Sequence, residues 1–191
     1  MNFQTRSREG RKMRISIYNL TIIAFMTAII CLISPITIPF GIIPISLSNL
    51  SIYLTILILG KKKSSIAVFL YLLIGFTGIP VFSGFSAGVG KLLGPTGGYL
   101  IGYLFLVWIA GWILEKQKKV TDFGNILALM AGTIILYFFG TLWLAVSAGL
   151  SWQTAFYSGV LPFLVPDMIK MGMAVGLAKS IKKRIGYIVD L

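Results

Sequence analysis

The sequence contains no histidine, one cysteine and only five acidic residues among 191. Without His and with Cys31 alone, a disulfide framework and any Cys/His metal site are excluded. Cys31 falls in the first apolar segment, where a thiol serves as a small packing group. The acids are Glu9, Glu115, Asp122, Asp167 and Asp190, and only Asp167 lies within an apolar segment. Paired-carboxylate catalysis therefore has no second partner. No nucleotide loop is present either. Gly88-Val89-Gly90-Lys91 has Phe85 where a phosphate loop needs Gly, and Leu92 where it needs Ser or Thr. Nothing calls for a cofactor, and the chain is not expected to be an enzyme. A cleavable signal peptide is not expected: the first apolar run exceeds the ~7–15 residues of a signal core. It ends in Cys31-Leu32-Ile33-Ser34-Pro35, with no small-x-small cleavage pattern. No convincing internal repeat is present.

What the sequence has is apolar length. Hydrophobic residues make up 57% of it and the mean hydropathy is +0.93. That composition specifies an all-α integral membrane protein, one compact bundle of helices. Six helices are expected, at about 15–34, 46–60, 64–76, 99–114, 126–146 and 166–181. Residues 35–46 form a proline-rich loop, Lys61-Lys62-Lys63 a tight charged turn, and 78–98 a loop with seven glycines. The expected domain plan is a basic cytoplasmic segment 1–14, a transmembrane domain 15–184 and a short tail 185–191.

The net charge of +12 is confined to short clusters between apolar segments, the pattern of topology-setting loops. With both termini cytoplasmic, the inner side holds Arg6, Arg8, Arg11, Lys12, Arg14, Lys61, Lys62, Lys63, Lys116, Lys118, Lys119, Lys179, Lys182, Lys183 and Arg184. These are 15 of the 17 basic residues, a strong positive-inside asymmetry. The proline and glycine loops then face outward, and Asp167 lies in the outer half of the bilayer.

Asp167 and Lys170 are the ionisable residues inside an apolar segment. Three residues apart on a helix, they lie about 60° apart and share a face. Pro166 suits a first-turn position, which would set Asp167 near a helix N-terminus. The pair either grips a polar part of a solute or pins two helices together. Charges in a membrane cost roughly 2.5–3.5 kcal/mol each and more often mark sites. The glycine-rich loop can bring backbone N–H groups close to a ligand. Ala24 and Ala28 share a face of the first helix, where small residues permit close contact with this bundle or with a partner. Phe82, Tyr99, Trp143 and Trp152 fall near the outer boundary, as belt aromatics or pocket walls.

These residues together resemble the BioY family, the biotin-specific substrate-binding (S) components of energy-coupling factor (ECF) transporters. The likeness runs from the first helix to the last. Its most specific part is Gly94-Pro95-Thr96-Gly97-Gly98-Tyr99-Leu100-Ile101-Gly102. Pro39-Phe40-Gly41, Pro44-Ile45-Ser46-Leu47, Gly78-Ile79-Pro80-Val81-Phe82 and Leu161-Pro162-Phe163 support it. Ser48-Asn49 departs from the family, which often carries Gln-Thr there. The resemblance implies a plasma-membrane binding subunit with an outward-facing biotin pocket. Its ligand-binding set would be Asp167, Lys170, Asn49, Ser48, Phe82, Thr96, Gly97, Tyr99 and Lys91. Asp167 is suited to the ureido N–H groups and Lys170 to its carbonyl, with glycine-loop N–H groups or Lys91 for the carboxylate. The resemblance also implies an EcfT-like transmembrane coupling subunit docked on Ala24 and Ala28, and two cytosolic ATPase subunits. An S component for another vitamin and a stand-alone carrier are the alternative readings.

Overall fold

A computed structural model describes residues 17–39, 42–117 and 119–189. The basic lead-in 1–14, Phe40, Gly41, Lys118 and the end of the tail lie outside the described residues. The elements are α1 (Ile17–Ile33), β1 (Thr37–Ile38), β2 (Ile45–Ser46), α2 (Ser48–Phe76), α3 (Gly88–Leu93), α4 (Gly97–Lys116), α5 (Asp122–Ala148), α6 (Trp152–Gly159) and α7 (Leu161–Val189). Among the described residues, Gly97–Lys116, Asp122–Ala148 and Trp152–Arg184 are long and apolar enough to cross a membrane. Ile17–Ile33 is apolar but shorter.

The buried residues of α1 are Ile23, Met26, Thr27 and Ile30, spaced as one helical stripe. That stripe meets the later part of α2, where the Thr27 hydroxyl donates to the Ala67 carbonyl at 3.3 Å. Pro35 follows the helix, and the expected loop proves to be a short antiparallel hairpin that pairs Thr37 with Ser46 and Ile38 with Ile45.

Two helices and a lysine turn were expected next. The break falls instead at Gly60, whose φ of 70° and ψ of 178° interrupt α2. Glycine alone adopts that backbone without a Cβ penalty. The three lysines are helical, and the Ser64 and Ser65 hydroxyls donate back to the Lys61 carbonyl at 3.0 and 2.9 Å. An unbroken helix would separate Ser48 from Tyr71 by about 35 Å. They face each other, so the two arms fold back antiparallel.

The glycine-rich stretch is only partly a loop. It contains α3 and a bridge between Phe82 and Ser86, and Gly97 and Gly98 already belong to α4. A Cβ on Gly97 would lie 1.6 Å from the Leu92 carbonyl oxygen, so only glycine lets α3 settle on the start of α4. The long seam between α4 and α5 is likewise built from small residues. Gly98 abuts Trp143, Gly102 abuts Leu136, and Gly132 abuts the Leu106 carbonyl. Backbones approach this closely in apolar bundles by omitting side chains.

The last helix was expected to begin at Pro166, and it begins at Leu161 with Pro166 inside. Val160 is non-helical between α6 and α7. Pro162, in the first turn, sits where a missing N–H costs nothing, while Pro166 lacks the bond to the Pro162 carbonyl. Asp167 is consequently the seventh residue of α7, beyond the free N–H groups of its first turn.

Candidate ligand-binding site

Asp167 is 1% exposed and Lys170 6%. With no dipole end beside it, the carboxylate is held by side chains from three elements. Lys170 Nζ donates to Oδ1 at 2.8 Å, an ion pair one helical turn apart. The Tyr137 hydroxyl of α5 donates to Oδ2 at 2.8 Å, and Asn49 Nδ2, from the first turn of α2, donates to the same oxygen. A carboxylate offers about four acceptor sites, and these three donors leave one. Lys170 keeps two of its three ammonium protons free of this pair. The arrangement presents an acceptor next to two donors, all at fixed positions.

These groups lie at the bottom of a pocket lined by Ile43, Pro44, Ser46, Ser48, Asn49, Ser83, Thr96, Tyr99, Leu100, Tyr103, Leu136, Tyr137, Phe163, Asp167 and Lys170. The space between its walls, open mouth and solvent included, is about 550 Å³, and the cavity proper is about 50 Å³. The wall combines hydroxyls with aromatic and aliphatic faces. The hairpin and the start of α2 form one side, the start of α4 and the outer part of α5 the other, and α7 the floor. Gly60, Gly111, Glu115, Lys179 and Lys182 gather at the opposite end of the molecule.

Of the expected set, Asp167, Lys170, Ser48, Asn49, Thr96 and Tyr99 line this one pocket. Three other candidates do not line the pocket. Phe82 is fully buried and packs edge-on against Tyr71, with ring centroids 5.6 Å apart. Its ring occupies the notch left by Gly75, so it supports the wall from behind. Gly97 is a contact between α3 and α4. Lys91 sits half-buried on α3, and burial pulls its ammonium below the ordinary lysine pKa. Tyr99 also braces the fold, because its hydroxyl donates to the Gly159 carbonyl at 2.9 Å and fixes α6. Trp143 donates from Nε1 to the Gly94 carbonyl at 2.9 Å, while Trp152 is exposed. On α1, Ala24 and Ala28 both face outward, opposite the buried stripe.

The structure adds residues that sequence reasoning missed, chiefly Tyr137, Tyr103 and Ser46. A signal for Tyr137 was present: it lies near the middle of the apolar helix Asp122–Ala148, away from the boundaries where belt aromatics gather. Tyr137 also forms part of the wall of a separate apolar hollow with Ile134, Phe138, Trp152 and Phe156. One ring thus stands between the carboxylate and the outer apolar surface. Among the described residues no cluster of His, Cys, Asp or Glu could hold a metal ion.

Known proteins resemble this chain in sequence and in fold. The BioY family model matches residues 6–187. The chain is 38% identical over 154 residues to biotin transporter BioY2 of Lactococcus lactis subsp. cremoris, covering 81% of this chain and 84% of that protein. It is 35% identical to the probable biotin transporter BioY of Pyrococcus horikoshii, covering 85% and 94%. Among solved structures, the S-component for biotin from an ECF-type ABC transporter superposes with a TM-score of 0.81 and 30% identity, covering 96% of this chain and 95% of that one. A pocket built on a buried acid–base pair, a fold shared along nearly the whole length and a family match across almost every residue lead to one conclusion: the chain belongs to the BioY family.

Proposed function

We propose that this chain is the biotin-binding S component of an ECF-type ABC transporter, a membrane binding subunit and not an enzyme. The observation that carries the reading is the buried Asp167–Lys170 pair lining the pocket, with one acceptor site of Asp167 and two protons of Lys170 left over. Biotin has a ureido group whose N–H atoms need an acceptor and whose carbonyl needs a donor. Charge-assisted bonds of this kind are the strong ones. The thioether ring and aliphatic tail fit against Tyr99, Leu100, Leu136 and Phe163. The carboxylate meets the hydroxyl-bearing wall, because Lys91 lies away from the pocket lining.

Six crossings support uptake: α1, the two arms of α2, α4, α5 and α7, in one transmembrane domain over 15–184. The pocket opens at one end, and Lys179 and Lys182 gather at the other. With the positive end in the cytoplasm, both termini are inside and the pocket faces outside the plasma membrane. The chain has no nucleotide loop, so energy comes from partners: an EcfT-like coupling subunit against the exposed Ala24–Ala28 face, and two cytosolic ATPase subunits. No cofactor is required for binding.

Mass spectrometry of small molecules retained by the purified protein, followed by titration with biotin, tests the reading. Retained biotin that is displaced by added biotin supports it. A protein that folds in detergent and shows no biotin binding overturns it.

A further inference from the structure

Beyond the pocket lining lies a pair of buried hydroxyls, Tyr53 on α2 and Thr133 on α5. Both residues are buried, and neither lines the pocket. Their hydroxyl oxygens are 2.7 Å apart, which ties the two helices together. The Thr133 hydroxyl also meets the Leu129 carbonyl one turn back, at 2.8 Å.

Counting protons gives this pair a direction. A carbonyl only accepts, so the single Thr133 proton goes to Leu129. Tyr53 then donates to Thr133, and its own oxygen is left able only to accept. One turn before Tyr53 on the same face of α2 is Asn49, and its amide is the other hydrogen-bonding neighbour of the Tyr53 hydroxyl. Asn49 already donates from Nδ2 to Asp167, since a carboxylate accepts and does not donate. Among the described residues, Asn49 Oδ1 receives no hydrogen bond, yet it is not an enclosed orphan. Asn49 lines the pocket and is 8% exposed, so this oxygen opens on the cavity.

We propose that Tyr53 and Thr133 are positioning residues that hold both Nδ2 protons of Asn49 inward, and that its Oδ1 is thereby offered to a ureido N–H of the solute. The second half rests on the pocket being the biotin site. Asp167 serves one N–H with its remaining acceptor site, and Asn49 serves the other, beside the donors of Lys170. Two acceptors and a donor on one floor select a cyclic urea, which has two N–H groups flanking one carbonyl. Thr133 has a definite part in this. A Tyr53 hydroxyl free to rotate would donate to Asn49 Oδ1 and withdraw that acceptor from the solute. By taking the Tyr53 proton, Thr133 keeps the acceptor available.

Titration of biotin into the purified whole protein is the first test. Tyr53→Phe keeps the ring and Thr133→Val the shape of the side chain, and each should weaken binding about threefold to tenfold. Thr133→Ser, which keeps the hydroxyl, should bind as the wild type does. In an Asn49→Ala background, Tyr53→Phe should cause no further loss, because it acts through Asn49. Biotins methylated on one or the other ureido nitrogen supply a readout that a merely structural role would not move. Relative to biotin, one of the two isomers should be penalised about threefold less in Tyr53→Phe than in the wild type, because the N–H it lacks is the one Asn49 serves. Unchanged affinity in folded Tyr53→Phe and Thr133→Val, a loss that adds to that of Asn49→Ala, or an equal loss for all three ligands would each overturn the proposal. If the wild-type protein binds no biotin, the solute assignment fails separately, and a crystal structure decides the positioning. Asn49 Nδ2 within hydrogen-bond distance of both Asp167 and the Tyr53 oxygen supports it, and an amide turned away from Tyr53 overturns it.

Discussion

Tyr137 donates its hydroxyl to Oδ2 of Asp167 at 2.8 Å, tying α5 to α7 at the floor of the pocket. Hydrogen bonds to charged groups contribute roughly 1.5–3 kcal/mol. Asn49 remains on the same oxygen and offsets part of the loss. Tyr137→Phe, which keeps the ring against the outer apolar surface, is expected to weaken biotin binding about fivefold with little change in yield. Titration of the purified variant checks this, and unchanged affinity removes Tyr137 from the binding network.

The ion pair itself should matter more. Asp167→Asn keeps the size of the side chain but leaves Lys170 buried without its anion, a change that typically costs about 3–5 kcal/mol. Asp167→Asn and Lys170→Ala are each expected to reduce biotin affinity at least about tenfold, equivalent to 1.4 kcal/mol. The double variant should lose less than the sum, because one network is broken in both. A purely structural pair would lower thermal stability and leave near-normal affinity in the folded fraction.

Binding and transport should separate on α1. Ala24 and Ala28 face outward, and close helix contact tolerates little added volume. Ala24→Leu or Ala28→Leu should abolish ATP-driven uptake by cells while the isolated subunit binds biotin as before. Equal loss of binding would make these alanines internal packing residues.

Orientation can be read by labelling. Ser86 lies in the segment between Phe82 and α3, near the pocket end, and Lys62 follows the break at Gly60. A cysteine placed at 86 should react with a membrane-impermeant reagent on intact cells, in a background lacking Cys31, and one at 62 should not. The reverse pattern would invert the topology and exclude uptake from outside.

Part of this site was legible in the sequence. An acid and a base three apart in an apolar run need only helical periodicity to share a face, and the Gly94–Gly102 stretch carries its own local signature. Ser48 and Asn49 were placed through the proline loop that precedes them. Phe82 illustrates the opposite case: its motif resembles a pocket segment, yet the notch at Gly75 draws the ring into the core. Pro166 was read as a helix start because proline favours first turns, whereas packing after Val160 begins the helix five residues earlier.

The sequence by itself determined the apolar segments, the class of fold, the charge asymmetry and the pairing of Asp167 with Lys170. Each depends on composition or on contacts within one turn. Only the tertiary structure decided that Tyr137 and Asn49 complete the carboxylate's shell, that Tyr103 and Ser46 face the pocket, and that Gly60 rather than the lysines breaks α2. A helix that is apolar all round carries no polar–apolar period to say which face turns inward. That choice is made where glycine seams let neighbouring backbones meet, at Gly98, Gly102 and Gly132, and those contacts join residues far apart in the chain.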